Sequence, residues 1–257
     1  MQTTAGPVQD ALEQPFRRAR RPVVLVPGRE QAEVVIIALH DLDDDARPEQ
    51  CRIVAPDGIL DALAWDIAAR AADLVDRDQL AWRQGDVTDF GFAGPAVTAA
   101  VITSVPTPVV HVDDGGGEVT EQFHNRWDSS TPVEIDTPPL SAVRDTLDSH
   151  AGQGAAEDVE LVTTRARCST DPVAVLLWAA AGTGATVRAV TDAAAELGLA
   201  SRTTVYRRLD SLTDAGIVRA VPEHDGERGR PDRTLHREIA VGDDEPLPAA
   251  VQTALQG

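Results

Sequence analysis

The chain has 257 residues, of which 42% are hydrophobic and 4% aromatic, so any core must consist mostly of Val, Leu, Ile and Ala. Its formal charge is −19, with 42 acids against 23 basic residues, and every basic residue is arginine. There is no apolar run of the roughly eighteen residues that a spanning helix needs, and the start MQTTAGPVQDALEQPF has no basic segment followed by an apolar one; no membrane association and a cytoplasmic location are expected.

The first half alternates strand-like apolar runs with longer helical patterns. Arg21-Pro22 leads into Val23-Val24-Leu25-Val26, which Pro27-Gly28 halts. Residues 33–39 (EVVIIAL) are a second continuous apolar run, followed by the acidic loop 41–45. Arg52-Ile53-Val54-Ala55 is a third. Asp57 is placed to cap a helix that carries Ile59, Leu63, Ile67 and Leu74 on one face. Residues 96–103 and 108–112 read as strands, 113–117 as the turn leaving the second, and 118–128 as a helix. This pattern predicts an α/β N-terminal domain over 1–150, a fold that by analogy offers a pocket beyond its strand ends and so suits a sensor or dimerisation role. Residues 151–170 read as a connecting segment, within a stretch of weaker signal (132–167) where 141–150 adds a short helix.

Residues 171–241 carry the pattern of a C-terminal winged helix-turn-helix (α+β) domain. Asp171-Pro172 starts a helix with Val173, Leu176, Leu177 and Ala180 at helical spacing, ended by Gly182-Thr183-Gly184. A second helix runs over 187–197 and stops at Gly198. Ser201 caps a third, in which Val205, Leu209 and Leu212 face inward, and Gly216 ends it. The short turn Gly198-Leu199-Ala200 sets the third helix across the second, the geometry that projects a helix into a major groove. Its candidate DNA-binding residues are Ser201, Arg202, Thr203, Thr204, Tyr206, Arg207, Arg208 and Ser211; arginine reads guanine bidentately, and hydroxyls bond phosphates or bases. Strands at 218–221 and 234–241 then flank a Gly-containing loop with Arg228, Arg230 and Arg233, a candidate wing against a minor groove or phosphates. Residues 242–257 read as an acidic C-terminal tail in which 249–255 forms a turn or two of helix.

Charge has to be read locally. Over 171–241 there are nine Arg against ten acids, and over 201–237 eight Arg against six; the rest of the chain carries fourteen Arg and thirty-two acids. The stretch spared acidification is the one with the DNA-binding pattern. Aspartate outnumbers glutamate by 28 to 14 and lysine is absent, a composition that suits hydration and screening in a cytoplasm at molar salt.

The same residues argue against catalysis. A Walker phosphate loop and Schiff-base chemistry both need a lysine, and no GxGxxG fingerprint is present. The six histidines are dispersed with no HxH or HxxxH pair, so neither metal nor cofactor is expected. His111 beside Asp113 and Asp114 is the best polar cluster, and reads more readily as a structural histidine near a turn than as a ligand site. Cys51 and Cys168, far apart and outside any CxxC pair, read as free thiols.

The run SRTTVYRRLDSLTDAGIV with its Gly/Arg-rich loop resembles the winged helix of archaeal metabolic regulators of the TrmB class. Together with CRIVAPDGILDALAWDIAARAADLVDRDQL and FHNRWDSSTPVEIDTPPLSAVRDTL, the whole chain resembles haloarchaeal regulators of the TrmB-suppressor (TbsP) type. The resemblance implies control of sugar-metabolism genes by a dimer; a homodimer is also expected because one small winged helix offers few contacts, and a sugar or phosphosugar is the candidate effector for the first domain. TrmB proteins carry the winged helix first and this chain carries it last, so their ligand residues do not transfer. The competing reading is an architectural or partner-recruiting DNA-binding protein whose N-terminal domain is an interaction module.

Overall fold

A computed structural model describes residues 12, 15–94, 97–102, 109–113, 117–166, 170–222, 232–241 and 246–256, with the backbone alone at 97–102 and 109–113. By its internal contacts the chain divides at Pro139/Leu140 into two compact units. The first is a seven-stranded mixed sheet with helices; the second is a helical unit with a two-stranded hairpin. This is the expected α/β domain followed by a winged helix-turn-helix.

In the first unit, β1 (Val23–Leu25), β2 (Cys51–Ala55) and β3 (Leu80–Gln84) are parallel, with Val24 opposite Ile53 and Ile53 opposite Trp82. Parallel neighbours need crossovers. These are α1 (Arg29–Asp41) and the pair α2 (Ile59–Ala62) and α3 (Trp65–Asp76). The antiparallel meander β4 (Gly91–Gly94), β5 (Val97–Ile102) and β6 (Val109–Asp113) continues from β1, and α4 (Gly117–Ser129) leads to β7 (Thr131–Pro132) beside β3. The order across the sheet is β6-β5-β4-β1-β2-β3-β7.

Alternation along the strands sorts the core. Val24, Ile53, Trp82 and Phe92 join Ile36, Leu39, Ile67 and Leu74 in the larger cluster. Their neighbours Val23, Leu25 and Val54 turn to the other face and meet Trp127 of α4 in a smaller one. The Trp127 ring lies 4.4 Å from the Arg83 guanidinium and 5.5 Å from that of Arg52. Cys51 is a buried free thiol, and burial pushes its titration up. Cys168, Asp114 and the side chain of His111 lie outside the described residues.

In the first unit β3, β4 and β7 have no counterpart in the sequence expectation, and two other stretches fold differently from it. The 33–39 run is helix, part of the thirteen-residue α1, with Ala32, Val35, Ile36 and Leu39 buried at three- and four-residue steps. Asp57 caps nothing, because Gly58 takes the left-handed position before α2 (φ 74°) and the extended pair Leu63-Ala64 separates α2 from α3. Leu63 is buried through that link, while Ile67 and Leu74 keep the inward face of α3.

In the second unit, α5 (Leu140–Ala151) and α6 (Ala155–Arg165) precede the winged helix. Residues 151–170, expected as a connector, thus supply a packed helix whose Ala155, Val159 and Val162 are buried. The central helix α7 (Pro172–Thr183) is buried at every residue from Val173 to Ala181, as a helix apolar all round must be. The expected acidic tail also packs: in α10 (Ala249–Leu255) Val251 and Leu255 are fully buried, and the Leu255 carbonyl accepts the Asp171 N–H at 2.7 Å.

Candidate nucleic-acid interface

Three capped helices build the site. Asp171 accepts the Ala174 N–H at 2.8 Å at the start of α7, and Gly184 closes that helix in the left-handed region. Thr186 accepts the Ala189 N–H at 3.2 Å to open α8 (Val187–Glu196). The chain then turns at Gly198 (φ 67°), with the Leu199 N–H returned to the Ala194 carbonyl at 2.9 Å. Ser201 accepts the Thr204 N–H at 3.3 Å and opens α9 (Arg202–Asp214), whose Val205, Leu209 and Leu212 anchor it in the core.

The candidate residues on α9 have four different surroundings. Ser201 and Thr204 are engaged with each other at the cap, their hydroxyls 3.1 Å apart. Thr203, Arg207 and Ser211 recur every four residues and are all exposed, a single outward stripe. Arg202 and Tyr206 form the adjacent stripe, with the guanidinium 5.5 Å from the ring centre. Arg208 is a correction. Expected to point outward, it is largely buried and donates to Asp171 Oδ2 at 2.5 Å, tying α9 to the start of α7. The signal for this contact spans 37 positions and is invisible in a local helix pattern.

The wing grows from β8 (Val218–Pro222) and β9 (Arg233–Arg237), paired from Val218–Arg237 to Pro222–Arg233. The second strand ends at 237, four residues short of the expected 241. A third element joins: Leu235 donates to the Ala185 carbonyl at 2.8 Å and Thr186 bridges Thr234, so the loop before α8 extends the hairpin. Arg237 fixes the base of the wing. Its guanidinium stacks 3.6 Å from the Trp178 ring centre, donates to the Trp178 carbonyl at 3.0 Å and pairs with Asp158 of α6. Burial raises the Asp158 carboxyl above its ordinary range, and the Arg237 guanidinium opposes that shift. Of the three wing arginines expected from sequence, Arg233 stands at the start of β9, whereas Arg228 and Arg230 lie outside the described residues.

Between α8, α9 and the foot of β9 is a cleft of about 400 Å³ lined by Arg188, Thr191, Asp192, Arg202, Tyr206, Asp232 and Arg233. Arg188, absent from the sequence candidates, reaches it from the first turn of α8 with a side chain 79% exposed. It is the only arginine of that helix and stands off the buried face made by Val187, Val190 and Ala194, which is the signal that was there to read.

A family model of the C-terminal HTH domain of TbsP-like transcriptional regulators matches residues 139–250, and one of the TbsP-like N-terminal region matches residues 2–138. The chain belongs to this family. It is a TbsP-like transcriptional regulator whose DNA-binding part is the helix-turn-helix unit, and the two matched regions meet between residues 138 and 139, one residue before the Pro139/Leu140 division seen in the contacts. No curated protein matches it. Among the described residues of this TbsP-like chain, no helix is long and apolar enough to cross a membrane.

Proposed function

We propose that the chain is a sequence-specific transcription regulator in which α9 enters the major groove and the wing lies along the backbone beside it. The observation that supports this most is the exposed stripe Thr203–Arg207–Ser211 on a helix anchored on its opposite side by three buried apolar residues. Arg207 has no ion-pair partner among the described residues, so no salt bridge has to be surrendered when it meets a guanine edge. Arg228, Arg230 and Arg233 then supply the wing contacts to phosphate or minor groove.

The targets are genes of sugar or central-carbon metabolism, and the α/β unit senses a metabolite (a sugar or phosphosugar) or holds two copies together as a homodimer. One small winged helix offers few contacts, and a dimer spans two half-sites about one helical turn apart. High working salt, to which the acidic composition is suited, weakens counterion release and gives base contacts and DNA shape a larger share.

Capture of genomic fragments by purified protein in molar potassium chloride, followed by sequencing, tests the reading. Enrichment of a short motif that is lost on Arg202→Ala and Arg207→Ala supports it; a folded protein that enriches nothing overturns it. Sedimentation that finds only monomer, free and on DNA, removes the dimer.

A further inference from the structure

We propose that the cleft between α8, α9 and the foot of β9 seats one backbone phosphodiester of duplex DNA, with Arg188 and Arg233 positioning the duplex that Thr203, Arg207 and Ser211 read. The proposal rests on the DNA-binding reading above and divides the labour within it.

The chemistry of the lining carries the argument. Three guanidiniums (Arg188, Arg202 and Arg233) face two carboxylates (Asp192 and Asp232), a local excess of positive charge in a chain whose net charge is −19. The volume accommodates a phosphodiester with its flanking sugars. Tyr206 lies under Arg202 and holds that guanidinium toward the notch by ring contact rather than by a competing carboxylate.

Of the two acids, Asp192 acts as an occupant that an entering phosphate displaces. Asp192 sits 3.6 Å from Arg188, with both side chains more than half exposed (79% and 52%), so water and salt screen the pair and it opens at little cost. Asp232 accepts the Arg233 N–H at 2.9 Å, which fixes the strand start and leaves the Arg233 guanidinium to the cleft. The Asp192 carboxylate therefore presents oxygens beside a guanidinium where a phosphate would present its own, and both carboxylates repel DNA until they are screened.

The experiment measures binding of the full chain to a captured genomic duplex and to a scrambled duplex across a potassium chloride series. Arg188→Ala is expected to weaken both duplexes by the same factor and to reduce the slope of log K against log salt by roughly 0.9, the share of one phosphate. Arg188→Lys keeps the slope, and Asp192→Asn tightens both duplexes alike. Inorganic phosphate at matched ionic strength displaces neither duplex. A folded Arg188→Ala chain with wild-type affinity and slope overturns the proposal, as does one whose sequence preference changes, which would make Arg188 a base reader. Displacement by inorganic phosphate alone would make the cleft a free-anion site and also overturns it. A wild-type chain that holds no duplex at any salt removes the DNA-binding reading itself, an outcome distinct from the others.

Discussion

The carboxylate of Asp171 serves two helices at once: Oδ1 accepts the Ala174 N–H that opens α7, and Oδ2 accepts the Arg208 guanidinium that arrives from the middle of α9. A capping side chain in this unit is thus also the strut that sets the angle of the helix proposed to enter the groove. Both partners are about three-quarters buried, at 26% and 22% exposed, so the pair is better shielded than a surface ion pair.

Asp171→Ala therefore removes a cap and strands a largely buried guanidinium. Loss of the cap costs about 1 kcal/mol and loss of the charged hydrogen bond about 1.5–3, so a total on the order of 3 kcal/mol is expected. Asp171→Asn keeps the cap and loses the charge, and should fall between the two. Urea unfolding of the three proteins checks the ranking; equal stability of Asp171→Ala and wild type would show that α9 is held by its apolar face alone.

Gly182 is required by crowding. A Cβ there would collide with the Arg237 guanidinium and the Asp158 carboxylate. A free arginine end would swing away, but this one is stacked on Trp178 and hydrogen-bonded to its carbonyl. Gly182→Ala should destabilise by about 1–3 kcal/mol and, by shifting the foot of β9, weaken DNA binding as well. Replacing Arg237 by Leu in the same chain removes the guanidinium from the collision and frees the Asp158 carboxylate to shift, so the double variant is expected to lose less than the sum of the two single changes. Strict additivity in the denaturation midpoints would place the two effects apart.

How much was legible in the sequence follows from the range of each signal. The winged helix was readable because its punctuation is local: Asp171-Pro172, Gly184, Gly198, Ser201 and Gly216 each act within a few residues of themselves. In the α/β unit, α1 read as a strand because a helix packed between a sheet and another helix shows a continuous apolar run, and such a run carries no period. The break between α2 and α3 was hidden because Leu63 and Ala64 stay buried while leaving helical geometry. Arg208 and Arg188 were misplaced or missed because their surroundings come from other helices, α7 for the first and α9 with β9 for the second.

Asp66 gives the first unit a pH dependence. Burial raises its carboxyl from 3.8 to about 6, Glu33 adds to the rise, and the Arg70 charge and backbone amides oppose it. A carboxyl raised in the folded state binds more protons than its unfolded counterpart between those values. Its contribution is fully present below pH 3.8 and is lost as pH rises to about 6. Above that, the chain carries a buried charge that costs on the order of 3 kcal/mol. Asp66→Asn should therefore raise the melting temperature at pH 7.5 and leave it nearly unchanged near pH 4. Equal gains at both values would assign the effect to packing.

Arg207 and Arg208 are adjacent in sequence and point to different partners, which permits a crossed test of the interface. Arg207 stands exposed in the stripe with Thr203 and Ser211, while Arg208 spends its guanidinium on Asp171. Arg207→Ala is expected to leave the melting temperature within a degree or two of wild type and to cost about 1–3 kcal/mol of binding to the captured motif, relaxing preference at one base pair. Arg208→Ala should do the reverse at first order: lower stability by roughly 1–3 kcal/mol through the orphaned Asp171 while retaining the order of preference among sequences. Measured together, the two variants separate reading from bracing. If Arg208→Ala changes which sequences are preferred while stability holds, its side chain leaves Asp171 on the DNA, and the strut between α7 and α9 is a feature of the free protein alone.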